Sequence, residues 1–346
     1  PAALALAFAL SGCASAPIAP PAVVPGPPTD TARIALSDLG ARSYFGNTGG
    51  LYASGLNQPP ADHDAAGLAG RNAIRPLDVN GLPSAAGKYV LISIGMSNTT
   101  QEWCSQSSAP PCAAWTLMGR ASADPEVNRT NLVIVNGAAA GQDAGKWSAP
   151  TAATYDRIRD VRLGPLGLGE KQVQAAWVKL AVANPSVGLP ADSANARVLF
   201  RQLGEVTRSL KMRYPNMQLV FFSSRIYAGY ATTQLSPEPF AYEEGFSVKW
   251  LIDAQIAEAR GSPPNATAGT LSYAAGVAPW LAWGPYLWAN GTEARSDGLS
   301  WSPADFQGDG THPSPSGESK VGAMLLAFFK TSHYTRCWFL AGQICG

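Results

Sequence analysis

Charged residues are scarce in this chain. Of its 346 residues 14% are charged, and 25 Lys and Arg nearly balance 24 Asp and Glu, for a formal net charge of +1. The basic residues are scattered along the sequence, without the clusters that mark nucleic-acid-binding proteins or polybasic membrane surfaces. The composition therefore predicts no nucleic-acid partner.

Long apolar runs are also rare. Beyond the N-terminus no run reaches the roughly 18 to 20 consecutive apolar residues that span a bilayer, and no repeat of fixed period indicates a solenoid or propeller. Hydrophobic residues still make up 46% of the chain, enough for a large core. We expect residues 31–346 to form one α/β domain with an N-terminal extension at 31–86.

The N-terminus carries the one apolar stretch that is typical of a signal segment. It ends in Leu-Ser-Gly-Cys, residues 10–13, which resembles a bacterial lipobox. Residues 1–12 are thus predicted to be a lipoprotein signal peptide, truncated because no Met or basic segment precedes it, with Cys13 as the lipidation site. An ordinary signal peptide with an incidental Cys is the alternative.

The residues that follow are rich in proline, so 13–30 are predicted to be an extended tether. Together with the lipobox, the tether predicts an exported lipoprotein of the bacterial cell envelope, periplasmic or on the cell surface. Its contact with the membrane would be through the lipid anchor only.

Without Cys13 the chain has four cysteines, in two pairs that are close in sequence. An oxidising compartment favours the disulfides Cys104–Cys112 and Cys337–Cys345, although four cysteines allow three connectivities. Metal binding is the rival interpretation, but the usual Cys-x-x-Cys spacing is missing. No metal site is predicted.

Short, nearly continuous apolar runs predict strands buried on both faces at 89–94, 132–135, 173–178 and 219–222. Helical patterns are predicted at about 112–123, 194–213, 243–260 and 316–330, the last with Ser316 as N-cap. This alternation favours a three-layer α/β/α sandwich around a mostly parallel sheet. Ligands of such sheets bind beyond the carboxyl ends of the strands, so the chemistry is expected just after the apolar runs.

Histidine is rare, with three in the whole chain. Only His312 has an acid three residues before it, Asp309, and this pair precedes the last predicted helix. Ser97 follows the first predicted strand. A serine nucleophile needs a base to remove its proton, and that base needs a carboxylate to orient it. The three residues are therefore candidates for a catalytic triad. A plain turn serine is the alternative for Ser97, and an exposed Asp-His loop or part of a metal site is the alternative for the pair.

These blocks resemble those of the SGNH/GDSL hydrolase family. Gly95-x-Ser97 and Asp309-x-x-His312 are similar to its terminal blocks, and the stretch 136–143 is similar to its second block. The resemblance covers about 88–330 and implies a flavodoxin-like SGNH fold and a serine esterase that works through an acyl-enzyme without a cofactor. It also implies that the backbone N–H groups of Ser97 and Gly141 form the oxyanion hole.

The third block of the family is different here. The family usually has Gly-x-Asn-Asp after the next strand, whereas this chain continues from Lys179 to Asn184 without that motif. Either residue is a candidate for the missing oxyanion donor, and a plain turn asparagine and a solvated lysine are the alternatives. Loss of one such donor can slow catalysis by about 10² to 10³.

Weaker signals concern the substrate. The Ser97-Asn98 turn is similar to that of sialate and xylan O-acetylesterases, which favours an O-acetylated carbohydrate, a glycan or small-molecule ester. Asn98 and the aromatic residues Trp283, Tyr286 and Trp288 are candidates to line the substrate site, although aromatic residues mostly pack in cores.

Three further points stay open in the sequence. Arg225 follows the fourth predicted strand and would line the pocket or serve a structural ion pair. An acyltransferase would share the Ser-His chemistry but deliver the acyl group to an alcohol. A non-catalytic surface lipoprotein that binds glycan in the same cleft is the other alternative function.

Overall fold

The computed structural model describes residues 1–2, 30–104 and 110–345. Cys13 and nearly all of the predicted signal peptide and tether lie outside these residues, so the lipoprotein assignment stays a prediction. Within the described part of the chain, no helix is both long enough and apolar enough to cross a membrane.

A five-stranded parallel sheet forms the centre of the fold. A small antiparallel hairpin, β1 (Ser43–Tyr44) with β2 (Asn47–Thr48), precedes it. The sheet strands are β3 (Tyr89–Gly95), β4 (Leu132–Asn136), β5 (Val173–Lys179), β6 (Leu219–Phe222) and β7 (Trp280–Trp283). Their order is β4-β3-β5-β6-β7, with every neighbouring pair parallel. Counted from β3, this is the 2-1-3-4-5 order of flavodoxin-like sheets, and the predicted fold class is confirmed.

Nine α-helices surround the sheet in the described residues. They are α1 (Leu36–Leu39), α2 (Ala61–Ala73), α3 (Ser97–Trp103), α4 (Leu117–Ala123), α5 (Ala153–Arg157), α6 (Asn195–Arg213), α7 (Phe240–Ala259), α8 (Pro315–Thr331) and α9 (Arg336–Phe339). A π-helical turn, Ile158–Leu163, continues α5.

Both faces of the sheet are buried, because side chains alternate along each strand. In β3, Val90 and Ile92 pack into a cluster that includes α6 and α7. Tyr89 and Leu91 point to the other face, where α3, α4 and α8 supply the partners. These two apolar clusters give the three layers that the sequence pattern predicts.

The extension at 31–86 is less irregular than its Gly-, Asn- and Pro-rich sequence suggests. Helix α2 packs so closely on β7 that a Cβ on Gly67 would lie 2.4 Å from the ring of Trp280. His63, also in α2, stacks on the same ring and bonds the carbonyl oxygen of Leu281 through Nε2 at 2.8 Å. The extension thus covers the β7 end of the sheet.

Several element boundaries differ from the predictions. Helix α4 begins at Leu117 instead of 112, because Thr116 caps it by accepting from the N–H of Gly119. Ser316 does not cap α8. The cap position is Ser314, Pro315 is the first helical residue, and the hydroxyl of Ser316 donates to Asp305 at 2.7 Å.

Both predicted disulfides are present. Cys104 bonds Cys112, and Cys337 bonds Cys345. The first ties the end of α3 to the segment before α4, and the second ties α9 to the C-terminal residues. Such bonds are compatible with an oxidising, extracytoplasmic compartment.

Removal of a core side chain on β3 tests the packing of the sheet. Leu91 is fully buried, so Leu91→Ala should lower the free energy of unfolding by about 2–5 kcal/mol. Leu82 is 63% exposed, and Leu82→Ala should change it by less than about 0.5 kcal/mol. Guanidinium denaturation of the two variants measures both values, and equal losses would contradict this packing.

Candidate active site

Ser97 opens helix α3 directly after β3. The turn between them depends on Gly95, because a Cβ there would lie 2.2 Å from Thr99 Oγ1 and 2.4 Å from the carbonyl oxygen of Lys179. The Thr99 hydroxyl donates to that carbonyl at 2.7 Å, which holds the start of α3 against the end of β5. Ser97 therefore lies at the carboxyl edge of the sheet, where the strand order reverses.

The three residues of the predicted triad come together. Ser97 Oγ lies 2.8 Å from His312 Nε2, and His312 Nδ1 lies 2.5 Å from Asp309 Oδ2. With the Nδ1 proton donated to Asp309, Nε2 is free to accept the proton of the Ser97 hydroxyl. The geometry is that of a nucleophile, a base and a carboxylate that orients the base.

Asp309 stays ionised in this arrangement. Burial alone would raise the pKa of its carboxyl group, but hydrogen bonds outweigh burial and the pKa is lowered. The donors are the His312 side chain and the backbone N–H groups of Thr311 and His312, at 2.9 and 3.0 Å from Oδ1. An ionised carboxylate fixes the imidazole tautomer and stabilises the imidazolium that forms when the serine is deprotonated.

The loop with Asp309 and His312 is held from two sides. The Asn98 side chain donates to the Thr311 carbonyl at 3.0 Å and connects the loop to α3. On the other side, the N–H of Thr232 donates to the Asp309 carbonyl at 2.9 Å. Gly310 has φ +62°, and a Cβ there would lie 1.9 Å from the carbonyl oxygen of Tyr230. The loop conformation therefore requires glycine at this position.

A cavity of about 100 Å³ opens beside the Ser97 and His312 side chains. The residues that line it come from the ends of four neighbouring strands and from two loops: Met96, Ser97, Asn98, Gly141, Asp143, Ala181, Val182, Ala183, Arg225, Leu235, Thr311 and His312. Gly141 is among them with φ +72°, in the left-handed region that favours glycine. Asn98 lines the cavity, although it is almost fully buried.

Lys179 does not reach the cavity. Its side chain is fully buried, and Nζ donates to both carboxylate oxygens of Glu102 in α3. Burial lowers the pKa of Lys179, while the charge of Glu102 opposes that shift. The two expectations for this residue, an oxyanion donor or a solvated lysine, are both wrong, because the ammonium group is committed to a buried ion pair.

Asn184, the other candidate, also lies outside the cavity. It is exposed with φ +52°, at a turn, and the cavity wall is formed instead by Ala181, Val182 and Ala183. The interpretation of Asn184 as a turn residue therefore describes its position. Neither candidate for the third oxyanion donor lines the cavity.

The three aromatic candidates are core residues. Trp283, Tyr286 and Trp288 are at most 5% exposed, and none of them lines the cavity. Trp283 Nε1 donates to the Leu51 carbonyl at 2.6 Å, and the Tyr286 hydroxyl accepts from the N–H of Leu36 at 3.1 Å. The prediction that they line the substrate site is wrong, because Trp283 and Tyr286 are turned toward the extension and Trp288 donates to Glu238 at 2.7 Å.

Other cavity residues escaped the sequence analysis. Leu235 comes from a long loop after β6 and has no sequence signal. Val182 follows β5, so its place after a predicted strand was its one sequence signal, whereas Asp143 lies in the stretch 136–143 but was given no role there. Among the described residues, no group of three or more His, Cys, Asp or Glu side chains is arranged to hold a metal ion.

No family model and no curated protein matches the chain. Several solved structures are similar to it. A GDSL-like lipase from Parabacteroides merdae is 13% identical with a TM-score of 0.39, over 73% of this chain and 96% of that one. The extracellular lipase of Streptomyces rimosus is 13% identical with a TM-score of 0.34, over 69% and 99%.

A third similar structure is the Bacillus subtilis protein YxiM, 12% identical with a TM-score of 0.36. The match covers 71% of this chain and 57% of the length of YxiM. The Parabacteroides merdae structure carries the name of the family that the sequence blocks resemble. At these identities and TM-scores, however, the similarities carry no argument about the chemistry of this chain, which depends on its own residues.

A glycine substitution tests whether the loop positions the triad. Gly310→Ala should lower kcat for ester hydrolysis by about 10²-fold or more, because the new Cβ displaces Asp309 and His312. Gly308→Ala is the matched control, since a Cβ there meets nothing within 4 Å. Steady-state kinetics of both variants make the comparison, and equal rates would contradict the assigned role of the loop.

The buried ion pair allows a second test. Lys179→Met leaves the Glu102 carboxylate buried without its partner and should cost about 3–5 kcal/mol of stability. Lys179→Met combined with Glu102→Leu should regain most of that loss and retain hydrolysis. A stable double variant with kcat lowered by about 10² to 10³ would instead identify Lys179 as an oxyanion donor.

Proposed function

We propose that this protein is a serine ester hydrolase that works through an acyl-enzyme. The observation that carries the proposal is the continuous hydrogen-bonded chain from Ser97 Oγ through the His312 ring to Asp309, beside a cavity at the carboxyl edge of the sheet. A solvated Asp-His loop would have no reason to meet a serine from a helix 215 residues away in sequence.

In the acylation step Ser97 Oγ attacks the ester carbonyl carbon while His312 Nε2 takes the hydroxyl proton. The tetrahedral intermediate then collapses, the bond to the alcohol oxygen breaks, and the imidazolium returns the proton to that oxygen. A water molecule then attacks the acyl-enzyme through the same steps and releases the carboxylic acid. Asp309 keeps its charge throughout and stabilises the imidazolium.

The oxyanion hole is the least complete part of the proposed site. We assign its stabilisation to the backbone N–H groups of Ser97 and Gly141, since both residues line the cavity. The end of β5 contributes apolar side chains where the family pattern has an amide. Stabilisation by two donors instead of three predicts a slow esterase.

The acyl group should be short. The cavity volume of about 100 Å³ is well below the roughly 300–1,000 Å³ of sites for drug-sized ligands. Met96, Ala181 and Val182 supply an apolar wall that suits a methyl or short alkyl group. An acetyl ester fits these limits, and the bulkier alcohol, a carbohydrate hydroxyl in our proposal, would remain outside.

We place this activity in the bacterial cell envelope, with the two disulfides as support. Transfer of the acyl group to an alcohol uses the same acyl-enzyme. Product analysis with added glycerol separates the two reactions, because an acyltransferase forms the glyceryl ester in preference to free acid.

Substitution of the triad is the direct test. Ser97→Ala and His312→Ala should each lower p-nitrophenyl acetate hydrolysis by about 10⁴-fold or more, and Ser97→Ala should abolish labelling by a fluorophosphonate. His333→Ala is the matched control, because His333 is exposed and pairs with Asp64 away from the cavity. A folded wild type that neither turns over the ester nor reacts with the probe would refute the esterase and favour glycan binding.

A further inference from the structure

Arg225 is a buried cation in the wall of the proposed acyl pocket. It follows β6 and is 2% exposed, yet it lines the same cavity as Ser97 and His312. Burial lowers the pKa of its guanidinium group, but arginine remains protonated at neutral pH. A full positive charge therefore borders the space where the proposed substrate would bind.

Only one edge of the guanidinium group is anchored. Nη1 donates to the Leu235 carbonyl at 3.2 Å, whereas Nε and Nη2 have no hydrogen-bond partner among the residues that the structure describes. The N–H bonds of Nε and Nη2 run side by side, a spacing that matches the two oxygens of a carboxylate. Buried donors without an acceptor are costly, which favours an acceptor that arrives with a ligand.

None of the neighbouring acids that act on this charge, Glu244, Glu102, Glu238 and Asp309, accepts a hydrogen bond from Nε or Nη2. Glu102 is paired with Lys179. One oxygen of Glu244 accepts from the N–H of Val182 and the hydroxyl of Ser236, and burial raises the pKa of this carboxyl group to about 8. Burial therefore favours the neutral form of Glu244, although the positive charge of Arg225 opposes that shift.

We propose that Arg225 binds a carboxylate of the substrate through Nε and Nη2, so that the preferred substrates are short esters that carry a carboxylate. This inference rests on the proposed esterase function. The carboxylate could belong to the acid half, as in a monoester of a short dicarboxylic acid, or to the alcohol half, as in an acylated hydroxy acid or acidic sugar. The recognition chemistry is the same in both cases.

The competing explanation is a purely structural arginine. The second oxygen of Glu244 also lacks a partner in the described part of the chain, and its carboxyl group interacts electrostatically with Arg225, so a side-chain rearrangement that pairs the two is the alternative. In that case Arg225 would stabilise the fold, and the charge of the ester would not influence the rate.

Two pairs of esters, matched in size and differing in charge, distinguish these explanations. Monoethyl succinate against ethyl butanoate tests the acid half, and acetoxyacetate against propyl acetate tests the alcohol half. Hydrolysis by the full-length protein is followed by acid release in a pH-stat. We expect kcat/KM to be about 10- to 100-fold higher for the charged member of at least one pair.

Variants of Arg225 then test whether the charge preference depends on the guanidinium fork that Nε and Nη2 form. Arg225→Met should reduce the charged-to-neutral ratio of kcat/KM to about 1, and Arg225→Lys, which keeps the charge without the fork, should reduce it several-fold. Glu244→Gln is the control and should keep the ratio. If Arg225→Met does not fold, the charged-to-neutral ratio of kcat/KM measured for Arg225→Lys decides whether Arg225 binds the carboxylate.

The outcomes separate the two proposals. Turnover of the neutral esters without a charge preference in the wild type would overturn the role of Arg225 and leave the esterase intact. A preference that both arginine variants retain would also overturn it. No turnover of any ester, with no fluorophosphonate labelling, would refute the esterase itself.

Discussion

The attachment of helix α3 to the end of β5 is the constraint on which the site depends. Two contacts make it, and they lie three residues apart on one face of the helix: the Thr99 hydroxyl on the Lys179 carbonyl and the Glu102 carboxylate on the Lys179 ammonium group. Together with the absence of a side chain at Gly95, they determine where α3 begins and therefore where Ser97 lies. Asn98 extends the same framework to the Thr311 carbonyl, so the nucleophile and its base are positioned by one connected set of hydrogen bonds.

Buried charged residues position the elements around the site and also line the cavity. A buried ion pair gains little net stability over apolar packing, but loss of one partner is costly, so it strongly favours a single arrangement of the two elements it joins. In this protein Lys179 and Glu102 form such a pair, so the ammonium group of Lys179 does not reach the cavity. The next strand then places a different cation, Arg225, at the cavity. The end of β5 thus has a structural role in this protein.

The sequence was informative wherever function or fold depends on residues close together in the chain. Short apolar runs located four of the five sheet strands, and the Asp309-x-x-His312 spacing located the acid and base. The fifth strand, Trp280–Trp283, was missed because its two tryptophans resemble a binding surface as much as a strand. Helix α2 was missed because its glycines and polar residues give only a weak helical period, whereas its packing on Trp280 supplies the stability that periodicity does not show.

The amino-acid sequence by itself determined the class of fold, favoured the two disulfides and indicated the candidate triad, because each is connected to local periodicity, spacing or residue chemistry. Only the tertiary structure decided which polar groups line the cavity. Lys179 and Arg225 both follow buried strands and are equally plausible as functional cations in the sequence, yet one pairs with Glu102 and the other keeps two donors free among the described residues. Glu102, the partner of Lys179, lies 77 residues away in the chain. Such distant pairings arise only when the sheet brings the elements together.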